Sequence, residues 1–548
     1  MASIIGKRRG KHTYYYLVES ARVDGKPRIV SQQYLGTADE VTARLDGTGA
    51  GEPDRTRHKR FGDLAAVWGM LEELDVAGII DRVVGRRRSD AAASIGTYLA
   101  LATANRIVDP CSKLALSDWW ATTSGERFIR PRLPASALDH RRFWDAMDAV
   151  SEDDLVEIER TITTAMVEQF SLEMAGVVLD MTNFATFIDS ANTRAAIAQR
   201  GKAKQKRTDL RLIGLSLVVT TDGQIPIVSH VYAGNRPDVT QFTDVVDELL
   251  TRWSSLGGHP ASLTVTYDAG QNSKLNHTHI ETTGVGFVTS LPPSQHRNLL
   301  AIPNSDYTIV DVQRFEGLTA YDTTTSALGV TRRAIITHSA SFHDAQRRGF
   351  EQTLTKARRQ LTQLEARLGR GNTRKTATGI DKEIDQILAP RWLSRIITAT
   401  VTGDTPTTRR LTWHVDTEAR RCLEDEYFGK RILFTNRDDW TIADVVAAYR
   451  SQADVEASFR QLKDPNVVSF SPIYHWTDHK IRIHAFTSVL ALQIAHLMVR
   501  RATRDGLDLS VRRLLGALAR IEETVLLYQG DRGRPRARRI ITDLDPTQ

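Results

Sequence analysis

Cysteine is nearly absent: Cys111 and Cys422, far apart, are the whole supply in 548 residues. So few exclude a disulfide framework and a cysteine-based zinc site. No run of about 18 apolar residues occurs, so no membrane-spanning helix is expected. The most apolar stretch, 486–499, is broken by Ser488, Gln493 and His496 and reads as a buried helix. The opening residues MASIIGKRRGKHTYYYLV lack the apolar core of a secretory signal, which makes a cytoplasmic location the expectation. Internal repeats and low-complexity tracts are missing. So is a GxxxxGK[ST] phosphate loop, which leaves ATP use without support.

What is present is a globular composition, 41% hydrophobic and 25% charged, in a chain long enough for roughly two to four domains. The net charge is +7, and its clustering matters more than its sum. Arg86, Arg87 and Arg88 form one knot. Lys202, Lys204, Lys206, Arg207 and Arg211 form a second, and Arg534, Arg536, Arg538 and Arg539 a third. Each is either a solvated surface or a contact for a polyanion, whose counterions such patches release.

Residues 13–36 read as two strands around the Asp24-Gly25 turn, followed by a polar linker near 46–60. Leu64 to Val84 has helical spacing, and 90–170 continues mainly helical. From 175 the pattern changes to strands. GVVLD (176–180) is a short strand ending on an acid, and 212–220 with 225–233 form a hairpin. A helix over 239–256, the strand LTVTYDAG (263–270) and the strand GFVTSL (286–291) follow. That order opens a ribonuclease-H-like α/β fold. Residues 342–368 form a long charged helix between short strands, and 444–463 is helical again. The expected organisation is a β unit and linker (1–60), a helical DNA-binding or dimerisation region (61–170) and the first part of the core (171–300). A β-rich insertion (301–440) and the completion of the core with a basic tail (441–548) come next.

Asp180 and Asp268 each close an apolar strand, where α/β sheets place ligands. Two acids on neighbouring strands can share a divalent cation; either one alone is also a common cap for turn amides. A third acid lies in YRSQADVEASFRQLK (449–463). On one helix, Val455, Phe459 and Leu462 would make an apolar stripe. Tyr449, Glu456, Arg460 and Lys463 would share an overlapping face. An ordinary ion pair between Glu456 and Arg460 is the plainer reading of that face. His277 and His279 form an HxH pair without zinc-spaced partners and read as surface loop. His475, His479 and His484 surround Trp476 and suit either a nucleic-acid-facing or a structural role.

The 449–463 segment resembles the Y-x2-R-x3-E-x6-K signature of DDE transposases of bacterial insertion sequences. Tyr449, Glu456 and Lys463 match by spacing; the arginine position is Gln452 here, with Arg450 nearby. The stretches RIVDPCSKLALSDWW (106–120), RPDVTQF (236–242) and SPIYHWTDHKIRIHAF (471–486), and the hairpin start, are also similar to this group. The resemblance implies catalytic, metal-holding Asp180, Asp268 and Glu456, with two Mg2+ or Mn2+ ions. It implies DNA contacts from Tyr449, Arg450, Arg460, Lys463, Lys202, Lys204, Lys206 and Arg207. It also implies a homodimer on double-stranded transposon ends and target DNA, nucleoid-associated when bound, and no membrane. Strand cleavage by water and joining of the freed 3′-OH would follow, with Trp392 or Trp413 of the insertion candidates for base flipping. The alternative is a catalytically silent, transposase-derived repressor or architectural protein.

Overall fold

The computed structural model describes residues 2–23, 26–45, 53–85, 90–201, 209–371, 375–528 and 536–548. Several expected features lie outside these: the Asp24-Gly25 turn, the Arg86–Arg88 knot, Lys202, Lys204, Lys206 and Arg207, and Arg534. The chain divides into two compact units. One holds Met1–Ala66, Asp118–Ala135 and Arg513–Gln548; the other holds Val67–Ser117 and Ser136–Arg512.

The smaller unit contains two three-stranded antiparallel sheets. In the first, His12–Val23 and Lys26–Thr37 are the expected hairpin strands. Ala2–Arg9 adds a third, in register from Ala2 opposite Glu19 to Arg9 opposite His12. In the second, Glu522–Tyr528 lies between Arg55–Arg60 and Arg536–Ile541. The expectation of a basic tail is corrected here: residues 536–541 form a strand. Its sheet joins segments more than 450 residues apart, which no local pattern announces. Glu523, fully buried, is the ionic centre of this unit, held by Ser124, Arg127 and Arg539.

The larger unit is a mixed α/β body on a nine-stranded sheet. Its strands are β1 (Gly176–Thr186), β2 (Arg211–Thr220), β3 (Pro226–Ala233), β4 (Thr264–Tyr267) and β5 (Gly286–Leu291), then β6 (Thr308–Ile309), β7 (Leu318–Ala327), β8 (Val330–Ser339) and β9 (Lys430–Thr435). Across the sheet they run β6-β7-β8-β9-β5-β4-β1-β2-β3. β1 is parallel to β4 and β4 to β5, while the other pairs are antiparallel.

Seven helices of this unit matter below. They are α1 (Ile95–Val108), α2 (His140–Ala149), α3 (Phe242–Ser255), α4 (Ala340–Gly369), α5 (Ile442–Arg450), α6 (Gln452–Lys463) and α7 (Asp478–Arg504). Strand side chains alternate between faces. Val177, Leu179 and Met181 of β1, Val265 and Tyr267 of β4 and Phe287 of β5 therefore fall together into one core with Phe242 of α3 and Leu354 of α4. The other face carries a smaller cluster of Val288, Ile335, Leu433, Val445, Val446 and Tyr449.

Two helix expectations are corrected, and the 301–440 region is placed in the sheet. The span Leu64 to Val84 is two helices, Gly62–Glu73 and Val76–Val84, broken where Asp75 takes a left-handed φ of 49°. Residues 301–440, expected as a β-rich insertion, hold six strands among the described residues. Four of their strands extend the main sheet, because β9 pairs with β5 and so covers an edge that would otherwise be open to aggregation. The 444–463 helix is split at Ser451 into α5 and α6. Helix α7 is long and apolar enough to cross a membrane, but 94% of its apolar window is buried inside the protein.

Candidate active site

The parallel registers settle where the acids stand. Leu179 of β1 lies opposite Tyr267 of β4, so the next residues, Asp180 and Asp268, are level on neighbouring strands about 4.8 Å apart. Thr266 lies opposite Val288, so two residues on, Asp268 is level with Ser290 of β5. Asp180, Asp268 and Ser290 form one row on the face opposite the large core. β1 does not stop at its acid as expected; it runs on to Thr186, paired with β2, and Asp180 sits opposite Leu217 in mid-strand. Asp268 does end its strand. It is exposed and accepts a 2.9 Å hydrogen bond from the Gly270 amide. Asn183 is three residues beyond Asp180 and so lies on the other face of β1.

Helix α6 brings the third acid to the face that carries the row. Val455, Phe459 and Leu462 are buried, the stripe read in the sequence. At its end the Lys463 ammonium donates to Thr182 Oγ at 2.7 Å and stands 5.4 Å from the Phe184 ring centre. Thr182 and Phe184 share the strand parity of Asp180, so Lys463 ties α6 to the acid-bearing face of β1. Glu456, two helical turns back, is exposed. The Glu456–Arg460 ion pair does not form; among the described residues neither side chain has an ionic or hydrogen-bond partner.

The break at Ser451 changes the role of Tyr449. It is not on the face of Glu456 and Lys463, because it belongs to α5. It is 8% exposed, its hydroxyl donates to Ser290 Oγ at 2.9 Å, and the Arg431 guanidinium lies 5.1 Å from its ring centre. Its hydroxyl therefore positions the strand beside Asp268 and is not offered to a DNA backbone. This Ser290–Tyr449 link was missed in the sequence, since it joins residues 159 apart. Arg450 is exposed, with its guanidinium 4.6 Å from the Phe315 ring centre, and Arg460 is exposed.

Carboxylates level on adjacent strands suit a hard divalent cation, which takes oxygen ligands. Among the described residues, no three His, Cys, Asp or Glu side chains are gathered closely enough to hold a metal ion. The backbone thus pairs Asp180 with Asp268, and Glu456 approaches from the helix without joining a finished cluster.

The tryptophans of the 301–440 region are packing residues. Trp392 lies among Phe350, Tyr427 and Phe428, and the Trp413 indole donates to Glu365 on α4 at 2.9 Å. His277 and His279 are on the helix Lys274–Thr283, not in a surface loop. His277 is buried against Tyr267 and Asn272, and His279 pairs with Asp247.

The family described as "Transposase DDE domain" matches residues 174–492, from the start of β1 into helix α7. The chain belongs to that family, and the class of protein is a DDE transposase. No curated protein matches it. Among solved structures, a piggyBac transposase in a synaptic complex with hairpin DNA is similar at 9% identity and a TM-score of 0.36, over 85% of this chain and 82% of the other.

Proposed function

We propose that this chain is the transposase of a bacterial insertion sequence, and that Asp180, Asp268 and Glu456 hold two Mg2+ or Mn2+ ions in a ribonuclease-H-like core. One observation carries the reading: two acids stand level on parallel strands, on the face against which the glutamate-bearing helix packs. The order β5-β4-β1-β2-β3, with three antiparallel strands followed by parallel additions, supports the ribonuclease-H-like assignment. When bound, the ions polarise the scissile phosphate and lower the pKa of the attacking water.

The chain's own residues then have distinct tasks. Asp180 and Asp268 supply carboxylate oxygens from rigid strands, and Glu456 supplies one from a helix that can close the site. Lys463, anchored on Thr182, contacts a phosphate beside the scissile bond. Arg450 and Arg460 bind the DNA backbone, together with the basic run Lys202, Lys204, Lys206 and Arg207. The chemistry is hydrolysis at the element ends, freeing a 3′-OH that attacks target DNA. Two ends must be joined in one event, so the acting species is a homodimer on double-stranded DNA, in the bacterial cytoplasm at the nucleoid.

The test is a cleavage and joining assay. Purified protein, Mg2+ or Mn2+ and a plasmid carrying the gene's flanking DNA are used, with wild type and Asp268→Asn side by side. Metal-dependent excision by wild type, and its loss in Asp268→Asn with DNA binding retained, is the expected result. Cutting by Asp268→Asn would sink the triad. Tight binding by wild type without cutting would favour the repressor alternative. The mass of the complex on paired ends checks the dimer.

A further inference from the structure

The stretches 106–120 and 471–486 resemble transposases but lie outside the acid row. In the fold, parts of both wall one cavity of about 350 Å³, together with α2 and the start of α7. That volume is within the range of small-ligand sites, roughly 300–1,000 Å³.

Its lining holds buried polar atoms that the protein leaves unpartnered. Lys113 is 7% exposed, and its ammonium has no hydrogen-bond partner. Arg106, 2% exposed, donates to the carbonyls of Ser469, Ser471 and Cys111, but its Nε has no partner. His484 donates from Nε2 to the Phe470 carbonyl at 2.7 Å. A carbonyl only accepts, so Nδ1 is a bare acceptor, and it too is unpartnered. Among the described residues no carboxylate forms an ion pair with Arg106 or Lys113. Burying cations without a counter-charge is costly. Burial, with Arg106 beside it, pushes the Lys113 ammonium down to about 7.

The mouth of the cavity is aromatic. Trp144, Tyr474 and Trp476 are all exposed. Lys480 sits 5.5 Å from the Trp144 ring centre and Arg194 sits 4.5 Å from that of Trp476. Large exposed rings offer flat faces for stacking, and cations beside them favour an electron-rich guest. The site therefore asks for one group that is both anionic and planar.

We propose that this cavity binds a single nucleotide of the DNA on which the protein acts, its phosphate held by Lys113 and Arg106 and its base stacked on the rim tryptophans. This rests on the transposase reading for the source of the nucleotide, because a base inside a duplex must leave the stack to reach such a pocket. The pocket's chemistry stands apart from that reading. Trp392, Trp413 and Trp440, each partly buried against a core cluster, do not line this cavity.

The experiment uses the full chain in two arms. In the first, without metal or DNA, tryptophan fluorescence and calorimetry follow titration with thymidine 5′-monophosphate, thymidine and inorganic phosphate. Saturable binding of the monophosphate is expected, with thymidine, Lys113→Met and Trp476→Ala each weaker by about tenfold or more. Asp268→Asn should bind the monophosphate like wild type, so failure of the acid site and failure of this pocket give different results. In the second arm, duplex element ends carry 2-aminopurine at successive positions. A fluorescence rise at one position with wild type, lost in Lys113→Met and Trp476→Ala, supports the nucleotide of the strand as the occupant. Monophosphate binding without any 2-aminopurine change overturns the DNA source in favour of a free nucleotide. No monophosphate binding by wild type overturns the site and leaves a water-filled cavity.

Discussion

The acid row on the sheet and the cavity beside α7 both hold charge of one sign, and the fold treats them in opposite ways. Asp268 and Glu456 are exposed, and neither has an ion-pair partner among the described residues. Water solvates such carboxylates, so their placement costs the fold little. Arg106 and Lys113 are buried, and the Lys113 ammonium and Arg106 Nε lack even a hydrogen bond. The difference teaches that an exposed unpaired charge shows only that a position is tolerated. A buried one shows that something else must compensate it.

Three substitutions can break or sharpen that contrast. The largest effect is expected from Glu456→Gln. Strand cleavage should fall about a thousandfold or more, some 4 kcal/mol of transition-state stabilisation. Its unfolding free energy should stay within about 0.5 kcal/mol of wild type. A marked loss of stability would mean that Glu456 is a structural residue.

Next comes Lys113→Met, read by denaturant unfolding against pH. The folded Lys113 value of about 7 lies below the ordinary 10.5, so between these the unfolded chain holds more protons. The lysine's penalty is complete below pH 7 and fades as pH rises towards 10.5. Lys113→Met should therefore be more stable than wild type at pH 7, with an advantage that shrinks towards pH 10 by up to about 4 kcal/mol. The groups around it behave accordingly: burial pushes Arg106 down to about 10, so it loses charge only at the upper end of this range, the Cys111 thiol is pushed up by burial, and burial keeps His475 and His484 neutral. A flat difference between pH 7 and 10 would remove the argument from burial. The smallest effect is that of Tyr449→Phe, which deletes the bond to Ser290 and should cost about 1 kcal/mol of stability.

Much of the larger unit could be read from local pattern, and the reasons are particular. GFVTSL is a continuous apolar run between turn signals, and its strand is Gly286–Leu291 as read. Asp268 is legible because β4 is short and its acid caps the following turn. That Asp180 is level with Asp268 is not legible, because register between parallel strands is fixed by tertiary pairing. The Ser451 break carries no glycine or proline, so 444–463 passes for one helix. The cavity escaped for a related reason. Arg106 and Lys113 look like ordinary surface cations until α7 and the 472–476 segment, more than 350 residues away, close over them.

The placement of β9 has a consequence for how the protein is made. β9 seals the edge of β5, yet it is encoded about 140 residues further along. At roughly 5–20 residues per second on the ribosome, that interval lasts on the order of 10 seconds. Throughout it, the strands bearing Asp180 and Asp268 have emerged while the flank of β5 still waits for its partner. The glutamate helix follows later still. A nascent chain thus cannot bring the three acids together until the helix Gln452–Lys463 has emerged, and a product cut short before β9 would carry an unsealed sheet.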